Sequence, residues 1–373
     1  MFHDSQYGLK RTLGLPHVVA VAIGQTIGAG IFVLTGMGIE FTGPSVTLAF
    51  LPTIPTALGL LTLLYVVNLL GISFAAIIQG LMVVLLLIAL AVFAIMGFPY
   101  VKVTNFSPFF TGGMGGFAMA ASILTFTLVG ANAIIELGGE IKNPGKTIPR
   151  AFLISFPLVL VLYVFVAIIA AGVLPWTETA GQPLTIVAQS FMGQASFNFF
   201  VFAGGLLAIV TTLNASLMWG TRSLLGVSTD GLLPKALTSI NKRFGTPHWF
   251  LTLIYVISSA AILLLGEENL SLFAVLASIG GIIVFIPLLG AAIQLPKKAP
   301  EAYRNSPFKL RGKWLYMAVG VGFLLSLLIL SILLVDLLSY PAGLIYGIIF
   351  FLWLIAGAIL FMYKKPGEKH SNP

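Results

Sequence analysis

Residues 23–32, Ile-Gly-Gln-Thr-Ile-Gly-Ala-Gly-Ile-Phe, set three glycines within seven positions of an apolar stretch. Glycine tolerates backbone conformations closed to other residues, so this stretch can unwind and offer free N–H and C=O groups. Gly24 and Gly28 also stand four apart, the spacing of close helix packing, and spacing alone leaves both readings open. A second small and polar stretch runs from Phe126 to Asn132 and leads to Glu136, which an α-helix would put on the face of Asn132. Glu136 is expected about one turn inside a membrane boundary, where a carboxylate is costly unless it faces a cavity or a partner. Thr211, Thr212, Asn214 and Ser216 gather side-chain oxygens of the kind a hard cation such as sodium takes, although hydroxyls in apolar helices also bond their own backbone. Arg222 and Asp230 fall in the expected loop that runs to Pro247, as candidates for gating or as ordinary loop charges.

The sequence offers little to any other chemistry. It has no cysteine, so disulfides, thiolate nucleophiles and Cys-based metal sites are excluded. The four histidines, at 3, 17, 248 and 370, are scattered. No phosphate-binding loop, zinc-protease helix or nucleophile elbow is present. The expectation is therefore no enzyme, no cofactor and no metal, with a coupling proton or sodium ion as the only inorganic partner.

The elements that must hold these residues follow from composition. Hydrophobic residues make up 58% and charged residues 8% of the 373, too few charges for a soluble domain, so the chain needs the lipid bilayer as solvent. The apolar material falls into blocks of the length an α-helix needs to cross roughly 30 Å of hydrocarbon, without the alternation of a membrane barrel. Spans are expected at 17–36, 53–71, 79–97, 117–137, 151–174, 196–220, 249–266, 269–292, 315–336 and 343–363. The fold class is all-α membrane protein with about ten transmembrane helices. In the second block Pro52 and Pro55 interrupt an apolar run, which reads as a kinked helix or as a join between two formerly separate spans.

The excess of 19 basic over 11 acidic residues does not indicate nucleic acid, because its distribution is a topology signal. With Lys10 and Arg11 in the cytoplasm, the groups Lys142 to Arg150, Arg222 to Arg243, Lys297 to Lys313 and the tail lysines all return inside, and Lys102 falls outside. Both termini are expected in the cytoplasm, in a multi-pass protein of the cell (cytoplasmic) membrane.

Five segments in order resemble the amino acid, polyamine and organocation (APC) superfamily of permeases, in its basic amino-acid branch. Residues 23–32 look like its first-span glycine motif and Asn68-Leu69-Leu70-Gly71 like the end of its fourth span. Residues 105–109 resemble the loop before the sixth span, residues 140–150 the loop after it, and residues 222–247 the loop after the eighth. The resemblance implies a five-plus-five inverted-repeat (LeuT-like) transporter fold followed by two extra helices. After Gly43-Pro44-Ser45 the sequence passes to what looks like the fourth span, so most of the second and all of the third are missing from the pattern. One transmembrane domain then has a shortened first repeat in 1–97, a second repeat in 98–292 and two C-terminal helices with a tail in 293–373.

The resemblance further implies that Thr26, Ile27, Gly28, Ala29 and Gly30, with Phe126, Thr127, Gly130 and Ala131, bind substrate, in a cavity between the two segments. The residues themselves, beside the resemblance, offer Asn132, Glu136, Thr211 and Thr212 as coupling candidates and Arg222 and Asp230 as gating candidates. Near Leu86 some proton-coupled relatives carry a lysine that this chain lacks, and Gly130-Ala131-Asn132 stands where relatives often have Gly-Phe-Glu. The implied function is secondary active transport of an amino acid, a polyamine or a related amine by alternating access, and a homodimer is compatible with the family. The alternative from another class is a non-transporting shortened paralogue, acting as a solute sensor or surviving as an inactive remnant.

Overall fold

The computed structural model describes residues 12–26, 46–128, 130–264 and 270–364. The chain divides into two compact units, Met1–Thr229 with Lys235–Ile262, and Asp230–Pro234 with Leu263–Pro373. The first contains α1 (Leu15–Thr26), α2 (Val46–Leu69), α3 (Ile72–Gly97), α4 (Gly113–Leu128), α5 (Pro144–Val173), α6 (Gln194–Thr229) and α7 (His248–Leu264). The second contains α8 (Leu270–Lys298), α9 (Lys313–Ser339) and α10 (Gly343–Lys364). Among the described residues six helices are long and apolar enough to cross a membrane: α3, α5, α6 and the three of the second unit. Shorter apolar helices cover Pro55–Leu69 and His248–Leu263. A helix satisfies its own backbone, which is what hydrocarbon demands of these sequences.

The turns between helices are specified locally. Gly71, which separates α2 from α3, has φ 108°, and a Cβ there would lie 2.9 Å from the carbonyl oxygen of Phe244, so only glycine fits. α5 starts at Pro144, in the first-turn position where its missing N–H costs nothing, and the Asn143 carbonyl accepts from Lys146 and Thr147.

α1 lies at the centre of the first unit, against α3, α5 and α6. Its Ile23 enters a cluster with Val83, Leu86, Phe93, Val159 and Ile169, and its Val18 and Val21 enter another with Ala75, Ile134, Leu137 and Met218. α2 leans on α7 through stacked rings of Tyr65 and Tyr255, 4.4 Å apart, and through a 2.9 Å hydrogen bond between the Tyr65 and Thr252 hydroxyls. The second unit closes around Leu272, Val275, Leu276, Ile279 and Leu337.

Pro52 and Pro55 lie within a single helix, Val46–Leu69, which both readings of the second block allow. Two expectations change. The span expected over 117–137 is not one helix: α4 stops at Leu128, and a 3-10 segment, Ala131–Ile135, begins after Gly130 (φ 159°, ψ −35°). α6 continues past the expected end at 220 to Thr229 and contains a π-helical stretch, Phe200–Leu206. Wide turns of this type inside α-helices often mark functional sites.

Candidate functional site

The apolar helices of the first unit enclose a spine of amides and hydroxyls. Asn68 of α2, Gln79 of α3, and Thr211 and Asn214 of α6 are each at most 1% exposed. Asn68 donates through Nδ2 to the Asn214 carboxamide oxygen at 2.8 Å, and Asn214 donates in turn to Gln79 Oε1 at 2.8 Å and to the Ala75 carbonyl at 3.3 Å. Gln79 Nε2 completes the chain by donating to the Thr211 carbonyl at 3.1 Å. A buried amide without partners carries a large desolvation penalty, so this relay fixes the register of α2, α3 and α6 more sharply than their uniform apolar surfaces could.

α1 meets the spine at Gly24. Its carbonyl accepts from the Thr212 hydroxyl at 3.2 Å, and a Cβ at this position would lie 2.1 Å from Gln79 Nε2 and 2.9 Å from Val83 Cγ2. The absence of a side chain lets the helix backbones approach. Close packing, one of the two readings of the Gly24/Gly28 spacing, therefore holds at Gly24.

Asn214→Leu should break both ends of the relay, stranding the Gln79 oxygen and removing the acceptor of Asn68. The expected loss is about 1–3 kcal/mol of stability, measured by denaturant unfolding of the purified protein in micelles.

A second constellation holds an ion pair away from water. Glu140 and Arg222 have side chains only 1% and 2% exposed, with Arg222 Nε donating to Glu140 Oε2 at 2.9 Å. A terminal nitrogen donates to Oε1 at 3.2 Å, and the other reaches the Met218 carbonyl at 3.1 Å and the Thr221 hydroxyl at 2.7 Å. The fork matches carboxylate geometry and leaves neither charge unanswered. The Glu140 backbone is engaged as well: its carbonyl accepts from Leu13 N–H at 2.9 Å, and Lys142 N–H donates to the Leu13 carbonyl at 2.8 Å. One short knot thus ties the entry to α1, the segment following the break at Gly130, and the last turns of α6.

The family model for amino acid permeases matches residues 17–356. The chain belongs to the amino acid permease family. Membership agrees with the APC superfamily resemblance and makes the chain a transporter-family protein rather than an enzyme. It is 30% identical over 332 residues to the branched-chain amino acid permease BcaP of Bacillus subtilis (strain 168), covering 87% of this chain and 66% of that protein. It is 31% identical over 221 residues to the methylthioribose transporter of the same organism, 59% of this chain and 47% of the relative. The lysine-specific permease LysP of Lactococcus lactis subsp. cremoris (strain MG1363) is 30% identical over 199 residues, 49% of this chain and 38% of the relative. The chain thus spans well under the full length of these three relatives, from 38% to 66%.

Against the residues that the family resemblance singles out, the geometry is uneven. Thr26 is the last described residue of α1; its side chain, all of Ile27, Gly28, Ala29 and Gly30, and hence the expected cavity beside them, lie outside the described residues. Phe126 and Thr127 occupy the last turn of α4, their side chains likewise outside the description. Gly130 stands at the break and Ala131 is buried just after it. Asn132 and Glu136 are both exposed, and the α-helical face expected to join them is absent because the segment is wound as a 3-10 helix.

Thr211 and Thr212 are brought to α1, and both hydroxyls also donate to the Ala208 carbonyl. Arg222 is on α6 rather than in a loop, and Asp230 is exposed in the turn after it. Gln79 is not marked by any motif, and Glu140 is marked only as the first residue of the segment that resembles the loop after the sixth span, not as a site residue. A lone amide in the otherwise apolar α3 was the available signal for the first; nothing local marks Glu140 as the partner of a residue 82 positions away.

Proposed function

We propose that this protein carries an amino acid or a related amine across the cytoplasmic membrane by alternating access, with the broken helices moving against a scaffold of ten spans in a five-plus-five repeat whose first half is shortened. The observation that carries the reading is the interruption of the fourth span at Gly130, at the end of the segment that the family resemblance marks for substrate. An interrupted helix exposes backbone donors and acceptors at membrane depth, and the N-terminus of a half-helix favours a carboxylate. In this reading Thr26 to Gly30, with Phe126, Thr127, Gly130 and Ala131, surround the solute. Thr211 and Thr212, or Asn132 and Glu136, serve a coupling sodium ion or proton. Arg222, paired with Glu140, acts as a cytoplasmic latch, and Asp230 serves gating on the same side of the membrane. Both termini are cytoplasmic.

A relative matched over 87% of the chain is named for branched-chain amino acids, which makes leucine, isoleucine and valine the first solutes to test; lysine, a polyamine and methylthioribose complete the panel. Uptake of each, labelled, into proteoliposomes under imposed proton or sodium gradients is the experiment. Saturable uptake of at least one, abolished by Gly28→Leu, is expected. Uptake that persists in the variant would show that the glycine segment only packs.

A further inference from the structure

The connection between α8 and α9 in the second unit holds a basic cavity outside the residues that the family resemblance marks for substrate. A cavity of about 350 Å³ is lined by Arg304, Lys309 and Arg311 together with Tyr303, Leu315 and Tyr316. Around it, residues 296–316 contain six basic side chains, with Lys297, Lys298 and Lys313 completing the set, and a single acid, Glu301. None of the six makes an ion pair among the described residues.

The loop is folded on itself rather than loose. The Tyr303 hydroxyl donates to the Leu310 carbonyl, the Lys309 ammonium donates to the Arg304 carbonyl, and the Ser306 hydroxyl donates to the Phe308 carbonyl at 2.8 Å. Pro300–Asn305 forms a short helix carrying Tyr303 and Arg304 to the cavity. From the other side α9 begins at Lys313 with Gly312, itself part of the lining, as its N-cap and no side-chain cap, so the positive end of a 27-residue helix points at the same space.

From these groups we infer that the α8–α9 connection is a binding site for the phosphate of an anionic lipid headgroup. Two guanidinium groups and an ammonium in one cavity suit a phosphate, which guanidinium groups bind bidentately and ammonium as a point charge. The source is a lipid because the cavity lies where two apolar helices of spanning length end, its lining includes Tyr303, Leu315 and Tyr316, and the same connection exposes Phe308, Leu310 and Trp314 by more than 40% each. Basic pockets between span ends, bordered by apolar and aromatic side chains, are the arrangement that holds a headgroup with its acyl chains alongside. The site rests on the membrane reading alone and stands whether or not the protein transports.

The test is native mass spectrometry of the full chain from mixed micelles containing equal phosphatidylglycerol and phosphatidylcholine. Wild type should retain phosphatidylglycerol in preference, and the Arg304→Gln/Lys309→Gln/Arg311→Gln variant should retain it about tenfold less, while Arg304→Lys/Arg311→Lys, which keeps the charge but loses the bidentate fork, should fall between the two. If the triple variant fails to fold, loss of wild-type phosphatidylglycerol at high salt, with phosphatidylcholine unaffected, supports the site equally. Thermal stabilisation by inorganic phosphate without any preference for phosphatidylglycerol would overturn the lipid assignment in favour of a soluble anion. Equal retention of both lipids with no phosphate effect would overturn the site altogether.

Discussion

Arg222→Leu should be among the most damaging single substitutions in this chain. It removes the guanidinium from a carboxylate that is 1% exposed, and a buried charge stripped of its partner costs about 3–5 kcal/mol. The loss reaches beyond the pair, because the Glu140 backbone also holds the entry to α1 through Leu13. Glu140→Leu should be nearly as costly for the mirrored reason. The double variant Glu140→Leu/Arg222→Leu buries no charge and should recover most of the stability, as apolar replacements of buried pairs often do. Thermal unfolding of the four proteins in micelles reads this directly. Additive losses in the double variant would mean that the two side chains act independently. If the pair is also the cytoplasmic latch, the stable double variant should still differ from wild type in transport.

Gly24→Val should be the second. A Cβ at this position falls 2.1 Å from Gln79 Nε2 and 2.9 Å from Val83 Cγ2, closer than side-chain carbons approach their neighbours, and 3.2 Å from Thr211 Cβ, a tight contact. The amide end of Gln79 is flexible in principle but is held here by the Thr211 carbonyl and the Asn214 carboxamide. Either Gln79 leaves and two buried partners are stranded, or α1 is pushed off α3 and α6. Overpacking of a close contact costs about 1–3 kcal/mol and the stranded polar groups a similar amount. The expected result is poor yield of folded protein and, in what folds, no transport. Gly24→Ala followed by Gln79→Ala separates the causes: a second substitution that restores folding identifies the amide as the obstacle. If Gly24→Val leaves stability and yield unchanged, α1 does not pack as described.

How far the sequence itself reveals this arrangement depends on whether the information is local. Long apolar helices are legible because hydrocarbon imposes one length and one composition, so α3, α5, α8, α9 and α10 lie over their expected blocks. The motifs that identify the superfamily are also legible, being contiguous strings such as residues 23–32 and 140–150. The break at Gly130 is foreshadowed by small and polar residues in mid-span, but its 3-10 continuation is not, and that winding is what separates Asn132 from Glu136.

The end of α6 illustrates the opposite case. Thr221, Arg222 and Ser223 look like the start of a loop by polarity, yet the helix runs on because Glu140 neutralises Arg222 inside the protein. The Gln79–Asn214–Asn68 relay is invisible for the same reason: its members stand up to 146 residues apart, and each amide alone reads as an isolated exception in an apolar helix. Pairing across such intervals is a property of the packed helices, with no trace in spacing.

Alternating access makes a demand that a pore or a mere binding protein does not meet, namely exchange of solute across a closed barrier. The direct test is counterflow: proteoliposomes loaded with excess unlabelled leucine, or with whichever solute of the panel the protein accepts, are diluted into trace labelled solute without any ion gradient. Alternating access predicts a transient accumulation of label above equilibrium, saturable in the internal solute and lost in Gly28→Leu. Label that only equilibrates, or that never enters vesicles holding folded and inserted protein, would contradict it.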